Sequence, residues 1–127
     1  MATEKVILCV DDDRDVLGVL EEVLQGAGYR VVQAVSAEEA LSCFRRSGAD
    51  LVIADLMMET IDAGLELVRD LKIARQNLPI IMLSSIGDQL NGATDYSGLR
   101  LDGILQKPVR SEALLRLVAA KLSPVAP

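Results

Sequence analysis

Short apolar runs that alternate with amphipathic segments constrain the fold of this chain more than any other feature. The candidate strands are residues 5–10, 29–34, 51–54, 79–83 and 103–105. Apolar residues at helical spacing follow most of these runs. Strands that are apolar on both faces and alternate with helices are typical of a parallel sheet covered on both sides. The pattern therefore predicts a doubly wound α/β domain.

Helix-capping signals mark where several of the helices begin. Asp13 can cap a first helix, the run from Ser36 to Glu39 matches a capping box, and Ser111 can cap the last helix. The segment 85–102 between the fourth and fifth strands is different, because it holds three glycines and no sustained helical period. Each interior glycine costs roughly 1 kcal/mol relative to alanine, so we predict a short helix or a loop there.

Composition limits the classes of function that the chain can perform. The 127 residues suit one domain, which we expect over residues 1–122 with a tail or linker over 123–127. The net charge of −6 argues against nucleic-acid binding. No run approaches the roughly 18 apolar residues of a membrane span, and residues 1–5 lack a signal peptide's features. We therefore expect no membrane partner, a cytoplasmic location and two reduced cysteines, Cys9 and Cys43.

Polar side chains follow four of the predicted strands. Asp11, Asp12 and Asp13 follow the first strand, and Asp55, Ser84 and Lys107 follow the third, fourth and fifth. The carboxyl ends of parallel strands form one crevice where ligands bind. The chain contains no histidine, the commonest metal ligand, so a metal at this edge is expected to be a hard cation with oxygen ligands.

These residue types suit phosphoryl transfer onto a carboxylate. Asp12 and Asp55 can bind Mg²⁺ directly, and Asp11 can bind it through water. A carboxylate beside the ion can attack phosphorus as a nucleophile, and Asp55 is the most isolated candidate. Lys107 and the Ser84 hydroxyl can then stabilise the oxygens of the transferred group.

The motifs themselves resemble those of the receiver domains of two-component response regulators. They are Val10-Asp11-Asp12, the run IADLMM over 53–58, the run IMLSS over 81–85, and Lys107-Pro108, and together they span nearly the whole chain. The resemblance implies a flavodoxin-like five-stranded sheet of order 2-1-3-4-5. It implies that Asp55 accepts a phosphoryl group from a sensor histidine kinase or a phosphotransfer protein. It also implies Mg²⁺ on Asp11, Asp12, Asp55 and the backbone carbonyl of Met57, with Ser84 and Lys107 on the phosphoryl group.

The chain departs from this family at positions that matter for output. Glu59 stands where the family usually has proline, and Ile104 stands where it usually has an aromatic residue that rotates upon phosphorylation. Isoleucine has no ring to swing, so we hypothesise that the signal passes through the loop 87–102. The resemblance suggests a cis Lys107-Pro108 bond, whereas X-Pro bonds are mostly trans.

Two other readings of the aspartates stay open at this point. The chain can be a receiver fold that binds partners without being phosphorylated. It can also be a haloacid-dehalogenase-type phosphohydrolase, with Asp11 as nucleophile and Asp13 as acid/base, although it is short for a cap domain and lacks a late acidic pair. We favour a phosphorylation-controlled switch over a metabolic enzyme, with output through a partner protein or a domain missing from this chain.

Overall fold

Five strands and four helices make up the described part of the chain, which comprises residues 4–55, 61–84 and 102–122 of the computed structural model. The strands are β1 (Val6–Val10), β2 (Arg30–Ala34), β3 (Leu51–Asp55), β4 (Ile80–Ser84) and β5 (Gly103–Gln106). The helices are α1 (Arg14–Gly26), α2 (Ala37–Ser47), α3 (Ile61–Ala74) and α4 (Ser111–Leu122). The predicted short helix or loop over 85–102 lies almost wholly outside the described residues, and the predicted tail over 123–127 lies outside them too.

All five strands pair in parallel in the order β2-β1-β3-β4-β5. The register aligns Cys9 of β1 with Ile53 of β3, and Ile53 with Ile81 of β4. The predicted flavodoxin-like sheet is therefore confirmed. The arrangement brings the carboxyl ends of β1, β3 and β4 side by side.

Each face of the sheet is covered by a separate apolar core. Alternate residues of a strand point to opposite faces, so Leu8 and Val52 join the core under α2 and α3, while Ile7 and Ile53 join the core under α1 and α4. Every residue of β3 and β4 is buried. The edge strand β5 is only half buried, and its Ile104 side chain is 43% exposed.

The predicted capping residues act at two of three helix ends. The Asp13 side chain accepts a hydrogen bond from the Asp15 N–H, and that of Ser36 accepts one from the Glu39 N–H. The prediction for Ser111 is wrong by one position, because α4 already begins at Ser111 and the Arg110 carbonyl accepts its first backbone hydrogen bond from Leu114. Capping signals locate a helix start only to within a residue or two.

Two aspartates at the opposite, amino edge of the sheet hold neighbouring strands together in the same way. Asp50 precedes β3, and its carboxylate accepts a 2.8 Å hydrogen bond from the Val6 N–H at the start of β1. Asp102 precedes β5, and its carboxylate accepts a 2.8 Å hydrogen bond from the Ile80 N–H at the start of β4. Asp102 also forms an ion pair with Lys72 of α3. The amino edge of the sheet is therefore stabilised by hydrogen bonds from backbone N–H groups to side chains as well as by the backbone hydrogen bonds between strands.

Both cysteines are free thiols, as predicted. Cys9 is fully buried in β1, and burial raises the pKa of its thiol well above the usual range, with a further contribution from the Glu21 carboxylate. Cys43 on α2 is half-buried. Among the helices that the structure describes, none is long and apolar enough to cross a membrane.

Candidate functional site

Three carboxylates converge at the carboxyl edge of the sheet. Asp55 is the last residue of β3, and Asp11 and Asp12 follow β1 directly. Each of the three offers a carboxylate oxygen within 4.8 Å of the others. Asp11 and Asp55 are buried, whereas Asp12 is exposed. The structure thus brings the three predicted acidic residues together in one cluster.

Lys107 places its ammonium group between two of these carboxylates. Its Nζ lies 3.0 Å from Asp11 Oδ2 and 3.3 Å from Asp55 Oδ2. The Lys107 N–H donates a 2.7 Å hydrogen bond to the Ser84 carbonyl, which continues the pairing of β4 with β5 by one residue and fixes where the side chain starts. The Lys107-Pro108 bond is cis, as the resemblance suggested.

The two carboxylate oxygens of Asp11 have different surroundings. Oδ1 accepts a 2.9 Å hydrogen bond from the Asp13 N–H, which shapes the turn between β1 and α1. Oδ2 is buried and faces Lys107, and no described residue gives it a contact that meets hydrogen-bond geometry. The Asp11 N–H donates to the Ala34 carbonyl of β2. The turn therefore holds Asp11 with one oxygen committed to the backbone and one directed at the cluster.

The charges of the cluster act on one another. Burial raises the pKa of Asp11 above its ordinary value, although the Asp13 N–H and Lys107 act in the opposite direction. Burial alone would lower the pKa of Lys107, but the Asp11 and Asp55 carboxylates outweigh it and raise that pKa. The ammonium therefore stays charged near neutral pH, and it is held mainly by its two acidic neighbours.

The cluster has the donor set that a divalent cation requires. Mg²⁺ prefers hard oxygen ligands and usually keeps several waters. The three carboxylates supply such oxygens, and the exposed position of Asp12 leaves one side of the cluster accessible to water. Asp11 Oδ2 is a buried oxygen that faces the cluster, with the Lys107 ammonium 3.0 Å away. These residues fit a Mg²⁺ ion.

The structure describes some of the remaining residues that the sequence analysis singled out and not others. Ser84 is buried at the end of β4, one residue beyond the Leu83 that pairs with Asp55. Met57 and Glu59 lie outside the described residues, and so does most of the loop 87–102. Ile104 is described and exposed on β5, two residues before the end of the strand.

One contact of the cluster was not predicted from the sequence. The sequence assigned Lys107 to a transferred phosphoryl group, yet in the structure its ammonium contacts Asp11 as well as Asp55. The strand order contains the signal, because β1 and β5 flank the central pair β3 and β4, so their following residues can meet across Asp55. Asp13, the acid/base of the phosphohydrolase reading, instead caps α1.

A sheet of this order with this cluster at its carboxyl edge defines a receiver domain, the class that the sequence motifs also resemble. The chain belongs to the response regulator receiver domain family, which it matches over residues 7–119. It is thus a receiver domain of two-component signalling. This assignment disfavours the phosphohydrolase reading.

Relatives and solved structures agree with this assignment. The chain is 38% identical to the probable transcriptional regulator ycf27 of Porphyridium aerugineum over 90% of this chain and 46% of that protein. It is 36% identical to response regulator MprA of Mycobacterium leprae over 91% of this chain and 50% of that protein. The chain thus spans about half the length of these curated relatives.

Two solved structures show the same fold over almost the whole chain. A putative response regulator from Chloroflexus aurantiacus superposes with a TM-score of 0.84 at 32% identity. The match covers 96% of this chain and 100% of that chain. The chemotaxis response regulator CheY4 of Vibrio cholerae superposes with a TM-score of 0.81 at 29% identity, covering 94% of this chain and 100% of that one. Both comparisons concern receiver-sized chains.

Proposed function

We propose that Asp55 accepts a phosphoryl group in a Mg²⁺-dependent reaction. The donor is a phosphohistidine of a sensor histidine kinase or a phosphotransfer protein. The observation that carries this proposal is the meeting of three carboxylates with the Lys107 ammonium, which lies 3.3 Å from Asp55 Oδ2. We assign this activity to residues 1–122.

The proposed step transfers phosphorus from nitrogen to oxygen. An Asp55 carboxylate oxygen attacks phosphorus, and a P–O bond forms while the P–N bond to the donor imidazole breaks. The electron pair of the broken bond stays on the imidazole nitrogen, which is then protonated. Mg²⁺, held by Asp11, Asp12, Asp55 and the Met57 carbonyl, would neutralise charge on the phosphoryl oxygens. Lys107 would pair with the same oxygens, and the Ser84 hydroxyl would donate a hydrogen bond to them.

The product is an acyl phosphate on the protein itself, so we propose a switch rather than an enzyme with metabolic turnover. Phosphorylation adds negative charge beside carboxylates that are already close together. The changed charge would alter the surface that a partner protein or a further domain reads. Ile104 has no aromatic ring, so we propose that residues 87–102 carry this change.

Intact mass spectrometry tests the proposed phosphorylation. The protein is incubated with Mg²⁺ and acetyl phosphate, beside the variants Asp55→Asn and Asp70→Asn. Asp70 is an exposed aspartate on α3 and serves as the matched control. We expect one added phosphoryl group on the wild type and on Asp70→Asn, none on Asp55→Asn, and none without Mg²⁺.

Other outcomes identify the competing readings. Absence of labelling in every protein would indicate a binding module with a receiver fold. Labelling that survives Asp55→Asn but is lost in Asp11→Asn would support the phosphohydrolase reading.

A further inference from the structure

We propose that Asp102 is a positioning residue for the phosphoryl transfer, because it fixes the register of β5 against β4 and so sets where the Lys107 ammonium lies relative to Asp55. Asp102 lies at the amino edge of the sheet, and Lys107 follows five residues later at the carboxyl edge, about 16 Å away along an extended strand. The Asp102 carboxylate contacts Ile80 and Lys72 rather than the carboxylate cluster. The inference rests on the proposed function and names a remote residue on which the rate of transfer depends.

Asp102 is attached to the start of β4 through both its backbone and its side chain. Its N–H donates a 2.8 Å hydrogen bond to the Ile80 carbonyl, and its Oδ2 accepts a 2.8 Å hydrogen bond from the Ile80 N–H. Lys72 Nζ lies 3.6 Å from the same oxygen and donates a 2.6 Å hydrogen bond to the Leu78 carbonyl. The Asp102 and Lys72 side chains are 31% and 16% exposed, so water only partly reaches these contacts. Two hydrogen bonds to a single residue of β4 specify one register of the two strands.

The register of β5 has little other support in the described part of the chain. It is an edge strand of four residues that pairs with β4. Leu105 packs against the core under α1 and α4, whereas Ile104 and Gln106 are exposed. A short strand with few buried side chains specifies its register weakly. A shift of β5 would carry Lys107 with it, because the Lys107 N–H continues the pairing with β4 at the Ser84 carbonyl.

The Lys107 ammonium has little tolerance for such a shift. Its Nζ lies 3.3 Å from Asp55 Oδ2, and we propose that it pairs with the oxygens of the transferred group. A slip of one residue moves a strand by about 3.3 Å. A misplacement of about 1 Å can slow a reaction by as much as about 100-fold. Removal of the Asp102 carboxylate lets the start of β5 move, so we expect it to slow the transfer even though the cluster itself is unchanged.

Asp50 makes the same kind of contact on a strand whose register does not depend on it. Its carboxylate accepts a 2.8 Å hydrogen bond from the Val6 N–H, and it lies five residues before Asp55, as Asp102 does before Lys107. The strand that follows it, β3, pairs with β1 on one side and with β4 on the other, and all five of its residues are buried. Core packing therefore holds the register of β3. Asp50→Ala should lower stability without displacing Asp55, which makes it a matched control.

Initial rates of labelling by acetyl phosphate with Mg²⁺, followed by intact mass spectrometry, test the proposal. This small donor needs no partner protein, so the rate reports on the site alone. We expect Asp102→Ala to be labelled about tenfold more slowly than wild type, and Asp50→Ala to stay within about twofold of it. Urea unfolding establishes that each variant is folded in the assay, so a purely structural role of Asp102 predicts equal rates for the two. Asp102→Asn keeps an acceptor oxygen at the same reach and should restore the rate to within about threefold of wild type.

A further variant keeps the test decisive if Asp102→Ala does not fold. Asp102→Glu keeps the charge beside Lys72 but places the carboxylate one methylene further from the backbone, so it should be labelled more slowly than Asp102→Asn.

Four results would overturn this inference: Asp102→Ala labelled at the wild-type rate, Asp50→Ala slowed as much as Asp102→Ala, Asp102→Asn as slow as Asp102→Ala, or Asp102→Glu at least as fast as Asp102→Asn. Labelling of wild type at Asp55 would leave the proposed function intact in each case. Wild type that takes up no phosphoryl group would overturn both.

Discussion

Asp11 combines a structural and an electrostatic task in one side chain. Oδ1 accepts the Asp13 N–H and shapes the turn after β1, whereas Oδ2 faces Lys107 in the cluster. A residue of this kind can be placed from the sequence, because it directly follows an apolar strand. The division of labour between its two oxygens depends on the turn geometry and on a lysine 96 positions away in the chain, so the sequence did not reveal it.

The two cysteines should differ sharply in reactivity. Cys9 is fully buried and its thiol pKa is raised, whereas Cys43 is half-buried. The thiolate is the reactive form, so at pH 8 we expect one thiol to react with a disulfide reagent in native protein and two in denaturant. Cys43→Ala should abolish the native reaction. Rapid reaction of that variant would contradict the burial of Cys9.

The raised pKa of Cys9 also predicts how stability depends on pH. In the unfolded chain a cysteine loses its proton near pH 8.5, while the folded protein keeps the proton on Cys9 to higher pH. The contribution is therefore fully present below about pH 8.5 and is lost as pH rises above it. Urea unfolding from pH 8 to 10 should show a steeper loss of stability in wild type than in Cys9→Ala.

Contacts between elements, unlike single side chains, depend on how closely two backbones approach. Gly103 at the start of β5 packs against α4, where an added Cβ would lie 2.6 Å from Leu117 Cδ2. We expect Gly103→Ala to lower the free energy of unfolding by about 1 kcal/mol, because Leu117 must shift. In the Leu117→Ala background the same substitution should cost less. Urea unfolding of the four proteins measures this coupling, and equal costs in both backgrounds would refute it.

The hydrogen bond between Asp50 and the Val6 N–H at the amino edge of the sheet predicts an effect on the free energy of unfolding. Asp50→Ala removes the acceptor of the Val6 N–H and leaves that partly buried group without its side-chain partner. We expect a loss of about 1 to 2 kcal/mol in the free energy of unfolding. Asp50→Asn keeps an acceptor oxygen and is the matched control. Equal losses for the two variants would show that the charge, rather than the hydrogen bond, stabilises the edge.

The boundaries of the strands and helices could be predicted from the sequence with different precision. The apolar runs predicted all five strands to within about a residue, because burial on both faces leaves a strong pattern in β3 and β4. The start of α4 was misplaced by one residue, because serine is also acceptable inside a first turn. Glu39 illustrates the same limit, since its carboxylate accepts the Val35 N–H rather than that of the capping Ser36. The backbone N–H that a glutamate side chain contacts depends on local torsion angles, which the capping-box motif does not specify.

For the molecule as a whole, the acidic cluster links stability to metal binding. Asp12, an exposed carboxylate near two buried ones, should destabilise the metal-free fold by repulsion. In chelator we expect Asp12→Asn to raise the melting temperature by about 3 °C, whereas Asp15→Asn should not raise it, since Asp15 lies in the favourable first turn of α1. Added Mg²⁺ should stabilise wild type and Asp15→Asn but affect Asp12→Asn much less. Scanning calorimetry measures all three, and destabilisation of Asp12→Asn in chelator would contradict this account.

The sequence predicted the α/β class and the residues that meet at the carboxyl edge. Strand periodicity and the polar residues after Val10, Ala54 and Leu83 were enough for this, because a parallel sheet brings strand ends together. The predicted strand order brings Lys107 near Asp11 and Asp55, but its contact with both carboxylates also depends on the length and torsions of one long side chain, which the sequence does not specify. Met57 and the loop 87–102 lie outside the described residues, so their assignments remain predictions.

The close carboxylates of Asp11, Asp12 and Asp55 affect how the protein would respond to selection for thermal stability. A library of variants selected only for heat resistance in chelator would be enriched in proteins that have lost the charge of Asp12, because that loss relieves repulsion without breaking an ion pair with Lys107. The selected variants would be more stable to heat, but they would have lost the proposed Mg²⁺-dependent phosphorylation. Selection in the presence of Mg²⁺ would favour the opposite set of variants, because the bound ion raises the thermal stability of proteins that keep all three carboxylates. The choice of buffer would then decide whether directed evolution preserves the site or erases it.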